Sequence, residues 1–186
     1  LMRISVVMEG NDCRFDPQSG HIQFGEWKND ELSPRVRMID ELFEAAGLLY
    51  RNPRDMKWAI WFKYMANVSE NQASAVLGIP YKAWDGSSEH ADFVRHALIR
   101  EVVEVARAEG IELSEEKIKK HDEALKFIRP QNKTSMLQDI EAGRPTEVEM
   151  FSGTMMRLGR KHGIPVPINE LFYHMLRTLE EKNSGK

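Results

Sequence analysis

The sequence predicts a mainly α chain, with an all-helical domain over residues 32–186 preceded by a short β segment over residues 1–31. Three observations carry this reading. Apolar residues recur at helical period from Pro34 onward. Those runs open mostly on serine or threonine and close on glycine or proline, the residues that cap and stop helices. The first 31 residues instead show short apolar runs broken by turn residues, the pattern of strands.

The runs Ile4-Ser5-Val6-Val7-Met8, Cys13-Arg14-Phe15 and His21-Ile22-Gln23-Phe24-Gly25-Glu26 are separated by Glu9-Gly10-Asn11-Asp12 and Asp16-Pro17-Gln18-Ser19-Gly20. This predicts a three-stranded meander, too small to form a domain alone. Val36, Ile39, Leu42, Phe43 and Ala46 make the apolar stripe of a first helix, from Pro34 to a stop at Gly47. A long helix is expected from about Pro53 to Leu77, ending at Gly78-Ile79-Pro80. Ser88 is expected to cap a helix to Glu109 whose buried stripe is Phe93, Ala97, Leu98, Val102, Val103, Val105 and Ala106. Ser114 opens the next, through Phe127-Ile128, before Pro130 stops it. Thr134 or Ser135 opens a short helix ending at Gly143, Thr146 one reaching His162, and Ile168 or Asn169 the last. Thr146 and Glu149 have capping-box spacing, which gives Glu149 a structural role. Met56, Met65, Met136, Met150, Met155, Met156 and Met175 fall in helical apolar stripes, where Met fills gaps in a core.

With 186 residues, 41% hydrophobic and 30% charged, the chain is long enough to bury a core in one domain, or one domain plus part of another. A net charge of -3, with Lys and Arg interspersed among acids, gives no basic field for nucleic acid. No apolar run reaches the roughly 18 residues of a membrane span and no secretory signal is recognisable, so a soluble, cytoplasmic protein is expected. The single cysteine, Cys13, reads as a small strand residue. None of the six histidines pairs with another at helical spacing, so no metal site is expected.

Within the long helix, Lys63, Asn67 and Asn71 recur every four residues. A four-residue step advances about 40°, so one ammonium and two carboxamides lie on a single stripe. Trp58, Ile60, Trp61, Phe62, Tyr64, Met65 and Val68 surround it with large apolar side chains, and polar groups set among them need partners. The spacing fits a snorkelling lysine as well as a site. Ser135 reads equally as a helix cap. Glu147 reads equally as an acid favoured by the positive end of a helix.

These segments together resemble a known family. A Lys followed by Asn at plus four and plus eight, then Asn132-Lys133-Thr134-Ser135-Met136-Leu137-Gln138-Asp139, then Thr146-Glu147, then Arg157 to Leu171 with Gly163-Ile164-Pro165-Val166-Pro167, resemble the C-terminal domain of ketopantoate reductases (2-dehydropantoate 2-reductases). The likeness runs from roughly Gly20 to Lys182. It implies a 6-phosphogluconate-dehydrogenase-like helical domain after a nucleotide-binding Rossmann domain, of which residues 1–31 would be the last strands. It also implies reduction of 2-dehydropantoate to pantoate with NADPH, a step toward pantothenate and coenzyme A. By position, Lys63 matches the general acid that protonates the alkoxide forming at the ketone. Asn67, Asn71 and Ser135 match residues that hold substrate oxygens and carboxylate. Glu147 matches the acid beside the catalytic lysine and the nicotinamide end of the cofactor. The implied partner is a small 2-oxo acid, with a homodimer also expected.

Two departures stand against the pattern. Gln72 follows Asn71 where the family often has Pro, and Tyr81-Lys82 occupy a region where it carries a further substrate-contacting Asn. No two of the 12 glycines are two apart, so the G-x-G-x-x-G that cradles a dinucleotide pyrophosphate is missing. The chain alone is therefore expected to be inactive. The other readings are a reductase of a related 2-oxo acid, or a helical binding or assembly module.

Overall fold

The computed structural model describes residues 1–3, 6–9, 11–15 and 20–185. The expected strand residues Ile4 and Ser5, and turn residues 10 and 16–19, lie outside them. The chain divides into two compact units, Leu1–Ile60 and Trp61–Lys186.

In the first unit, β2 (Val6–Glu9) and β3 (Asp12–Phe15) form an antiparallel hairpin with Glu9 opposite Asp12. The third expected strand does not continue it. β4 (His21–Gln23) lies instead between β1 (Met2–Arg3), antiparallel, and β5 (Tyr50–Arg51), parallel. A parallel pair needs a crossover, and α1 (Pro34–Ala45) supplies it. Sequence periodicity missed β5 because two residues are too few to show alternation. Ser33 caps α1 by accepting from Val36 N, and Gly47 takes the left-handed conformation after it. Phe43 of α1 meets Phe24 and Tyr50 with ring centroids 5.1 and 5.8 Å away, which ties the crossover helix to its strands. Of the stripe predicted for α1 only Val36 is buried. Ile39 and Leu42 are 37% and 63% exposed, because the small sheet covers only part of the helix.

In the second unit, the predicted long helix is three pieces: α2 (Met56–Ala66, beginning in the first unit), a π-turn at Asn67–Asn71, and α3 (Gln72–Leu77). Asp55 starts α2 by accepting from Trp58 N at 2.8 Å, and Gly78 ends α3 in the left-handed conformation. Then come a 3-10 turn at Tyr81–Trp84, α4 (Glu89–Ala108), α5 (Glu115–Leu125) and α6 (Ser135–Glu141). A second π-turn at Glu149–Gly153 leads into α7 (Thr154–His162), and α8 (Pro167–Asn183) closes the chain.

The 20-residue α4 is central, packing against the first π-turn, α7 and α8. Ala97, Leu98, Val102, Val105 and Ala106 are buried as expected. Phe93 is not: it is 68% exposed, with the Arg100 guanidinium 5.8 Å from its ring centre. Met56, Met65, Met136 and Met155 are core residues, whereas Met150 and Met175 are exposed.

Glu101, buried in the apolar stripe of α4, has a specific task. Val166 precedes α8 without a capping side chain and Pro167 has no N–H, so the amides of Ile168 and Asn169 lack a local acceptor. Glu101 accepts from Ile168 N at 2.7 Å, Asn169 N at 2.9 Å and Asn169 Nδ2 at 2.7 Å. Ser152 Oγ donates to Gln72 Oε1 at 2.7 Å, with Asn169 Oδ1 as a longer acceptor at 3.3 Å. Gln72, where the family pattern often has Pro, is thus fully buried and structural. Glu101→Ala leaves two buried donors of Asn169 and the part-buried Ile168 amide without their acceptor and is expected to destabilise the protein by about 3 kcal/mol. Urea unfolding measures this, and Glu101→Gln should recover part of it.

Candidate functional site

Lys63 lies near the end of α2, Asn67 opens the first π-turn and Asn71 closes it. A π-turn closes i→i+5 hydrogen bonds and holds about 4.4 residues per turn, so four residues rotate about 30° backward rather than 40° forward. The π-turn therefore changes the angle between Asn67 and Asn71 from the one a continuous α-helix would set. Lys63 and Asn67 are half-buried while Asn71 is 7% exposed, so the stripe runs from the surface into the domain.

Side chains support this turn. The hydroxyl of Ser69 donates to Met65 O at 2.9 Å, and Gln72 Nε2 donates to Val68 O at 2.9 Å. Both carbonyls would accept from the amide four residues on in an α-helix. Glu70, 5% exposed, accepts from His121 Nε2 of α5 at 2.5 Å. The continuous run Val68–Ala75 is buried, although Ser69, Glu70, Asn71, Gln72 and Ser74 within it are polar.

Ser135 sits in the first turn of α6, which packs on this π-turn and on α3. Thr134, not Ser135, is the cap: its hydroxyl accepts from Leu137 N at 3.3 Å, and Ser135 is left exposed. Glu147 is exposed just before the second π-turn, and its carbonyl accepts from the amides of Met150 and Phe151. The two π-turns pack on each other. Tyr64, beside Lys63, donates its hydroxyl to Phe151 O at 2.7 Å. Burial raises the Tyr64 phenol above its ordinary pKa, so it remains a donor. The fold thus gathers the stripe, the α6 start and the segment carrying Glu147 through neighbouring elements.

The capping box at Thr146 is not formed. Thr146 donates both its N–H (2.7 Å) and its hydroxyl (2.6 Å) to Glu180 of α8, while Glu149 instead accepts from Tyr173 and Arg177. Glu149 is structural as expected, but through α8. A carboxylate 34 residues away competes better for the Thr146 amide than Glu149, whose side chain is drawn to the Tyr173 hydroxyl and the Arg177 guanidinium.

Glu70, His121 and Glu180 were not foreseen as site neighbours. Their partners lie 51 and 34 residues away, beyond any local spacing rule. Glu101, in contrast, left a trace, as an acid in register with Leu98, Val102 and Val105.

Comparison with known proteins follows the same outline. The family description "Ketopantoate reductase PanE/ApbA C terminal" matches residues 55–180. A 2-dehydropantoate 2-reductase of Archaeoglobus fulgidus is 25% identical over 166 residues, 87% of this chain and 53% of that protein. One from Mesorhizobium japonicum is 32% identical over 151 residues, 80% of this chain and 45% of that protein. The chain spans about half the length of these relatives. The crystal structure of 2-dehydropantoate 2-reductase from Methylococcus capsulatus matches with TM-score 0.80 and 29% identity, covering 99% of this chain and 63% of the other.

Glu180 titrates with consequence. Burial raises its pKa, but the hydrogen bonds from Thr146 and the Arg177 guanidinium outweigh that and hold it below the ordinary 4.5. A carboxyl lowered on folding stabilises fully above its unfolded value, and loses that contribution as pH falls through the folded value. Glu180→Gln is expected to flatten the acid side of the stability curve below about pH 4.5, and thermal melts across pH 3–6 check this.

Proposed function

The chain belongs to the ketopantoate reductase family, and on that premise we propose that it supplies the substrate-binding and proton-donating side chains for NADPH-dependent reduction of 2-dehydropantoate to pantoate. The observation that supports this most is that the Lys63–Asn67–Asn71 stripe runs through a π-turn that packs against α6, the helix carrying Ser135. A helical region given only a packing role has no need of a π-turn that buries an amide and an acid.

On the ketone side the roles follow from chemistry. As hydride reaches the carbonyl carbon, negative charge grows on its oxygen. The Lys63 ammonium stabilises that charge and passes a proton to it. Asn67 and Asn71 each offer a donor and an acceptor to substrate oxygens, and the exposed Ser135 hydroxyl offers a donor to the carboxylate. The exposed Glu147 would, as the family resemblance implies, be the acid that serves Lys63 and the nicotinamide end of the cofactor.

The cofactor's pyrophosphate does not fit these residues. Strand β2 pairs antiparallel with β3, and no G-x-G-x-x-G leading into a helix follows it in the sequence. NADPH supplies hydride, and its diphosphate must be held elsewhere than in the described residues. In the same proposal β4, α1 and β5 are the closing part of a nucleotide-binding domain, their parallel crossover being the unit from which such domains are built. The proposal further includes a cytoplasmic location and a homodimer; the dimer has the support of the dimeric ketopantoate reductase of Staphylococcus aureus, a structural neighbour at TM-score 0.80 and 21% identity.

Tyr81 favours a second reading of the substrate. It lies in the segment Gly78-Ile79-Pro80-Tyr81-Lys82, which departs from the family pattern of a further substrate-contacting Asn, and burial, with the Glu70 charge as a lesser cause, raises its phenol pKa. A neighbouring branched or aryl 2-oxo acid is the alternative.

The test is a fusion joining the part of the Archaeoglobus fulgidus relative that precedes its matched region ahead of Leu1, assayed for NADPH oxidation beside the chain alone. Turnover of 2-dehydropantoate by the fusion only, falling about 10²–10³-fold in Lys63→Ala, is expected. Turnover of other 2-oxo acids in its place selects the second reading. Full activity in Lys63→Ala, or none with any 2-oxo acid, sinks both.

A further inference from the structure

A buried acid–imidazole contact sits beside the stripe and has no part in the chemistry above. His121 of α5 makes two contacts at once. Its Nε2 lies 2.5 Å from Glu70 Oε1, and its ring stands edge-on to Phe62 at 5.5 Å between centroids and 82° between planes. Phe62 immediately precedes Lys63 in α2, and Glu70 immediately precedes Asn71 in the π-turn. One imidazole therefore grips the helix on both sides of the point where its geometry changes.

The contact costs too much to be incidental. A carboxylate as buried as Glu70 destabilises the fold unless it is paired. Its surroundings are desolvated, as the raised phenol of nearby Tyr81 also indicates, with burial the larger cause and the Glu70 charge the lesser. If residues 67–71 closed i→i+4 bonds instead, everything after them would turn by about 70° relative to α2. Asn71 would leave the line of Lys63, and Glu70 would swing away from α5.

We infer that Glu70 and His121 are positioning residues whose contact holds the π-turn and so sets the angle at which Asn71 stands over Asn67 and Lys63. The inference deepens the proposed reaction and rests on it for its kinetic consequence, while its structural half stands apart.

Two measurements separate these. Amide hydrogen exchange on the full chain should show residues 69–73 exchanging about tenfold faster in His121→Phe and in the near-isosteric Glu70→Gln, with α4 unchanged. In the NADPH-oxidising fusion, His121→Phe should raise the substrate KM about tenfold with kcat within about twofold, and His121→Gln, which keeps a donor, should recover most of it. Unchanged exchange at residues 69–73, or an equal rise throughout the domain, overturns the inference. So does a fall in kcat with no change in KM. An unreactive wild-type fusion would overturn the proposed reaction and leave the exchange experiment to decide the structural role. If His121→Phe does not fold, Glu70→Gln and His121→Gln give the same readouts.

Discussion

The Glu101 carboxylate, buried in α4, accepts the first amides of α8 and the side chain of Asn169. Asn169 in turn meets Ser152, and Ser152 meets Gln72, so one chain of hydrogen bonds joins α4, α8, the second π-turn and α3. The links through Asn169, Ser152 and Gln72 are buried, and a buried polar group left unmatched costs more than a matched one gains. The network therefore fixes relative positions more than it adds stability. Apolar packing of Leu98, Val102, Met155 and Leu176 tolerates small slides between helices, whereas a carboxylate serving two amides at a helix start does not.

That rigidity lets the domain hold two π-turns side by side. Each interrupts regular i→i+4 bonding, and in each side chains from the turn itself, its neighbours or another element hydrogen-bond to its groups. Ser69, Gln72 and His121 serve the first, and Tyr64 serves the second through the carbonyl of Phe151. The second also follows directly from Glu147, whose preceding residue is fixed by Glu180. The candidate site is thus made of locally unfavourable backbone, supported by residues that touch no substrate. Irregularity concentrated at functional positions is what a site requiring fixed side-chain angles entails.

Much of this was readable in advance. Helix starts at Pro34, Ser88 and Ser114, stops at Gly47, Gly78 and Gly143, and the order of helices follow from local periodicity and the residues that begin and end helices. The Lys63, Asn67 and Asn71 spacing was visible too, because it lies within one element. Other expectations failed for a common reason. Phe93, Ile39 and Leu42 are exposed although their periodicity is right, since a period says which side chains share a face but not whether anything covers it. The three β runs were read as one meander, but β4 pairs with a strand 27 residues further on. Thr146 had the right residue at capping distance, and a distant glutamate took its place.

The sequence alone determined the helical class, the cap and stop positions and the family, because each is written in neighbouring residues or in an ordered set of motifs. Tertiary structure alone decided that the long helix contains a π-turn, that Glu70 is held by His121, and that Gln72 belongs to the core rather than the site. A change of one residue in helical register leaves no periodic mark in five residues. It is selected by partners on α4, α5, α6 and the second π-turn, whose approach no local rule encodes.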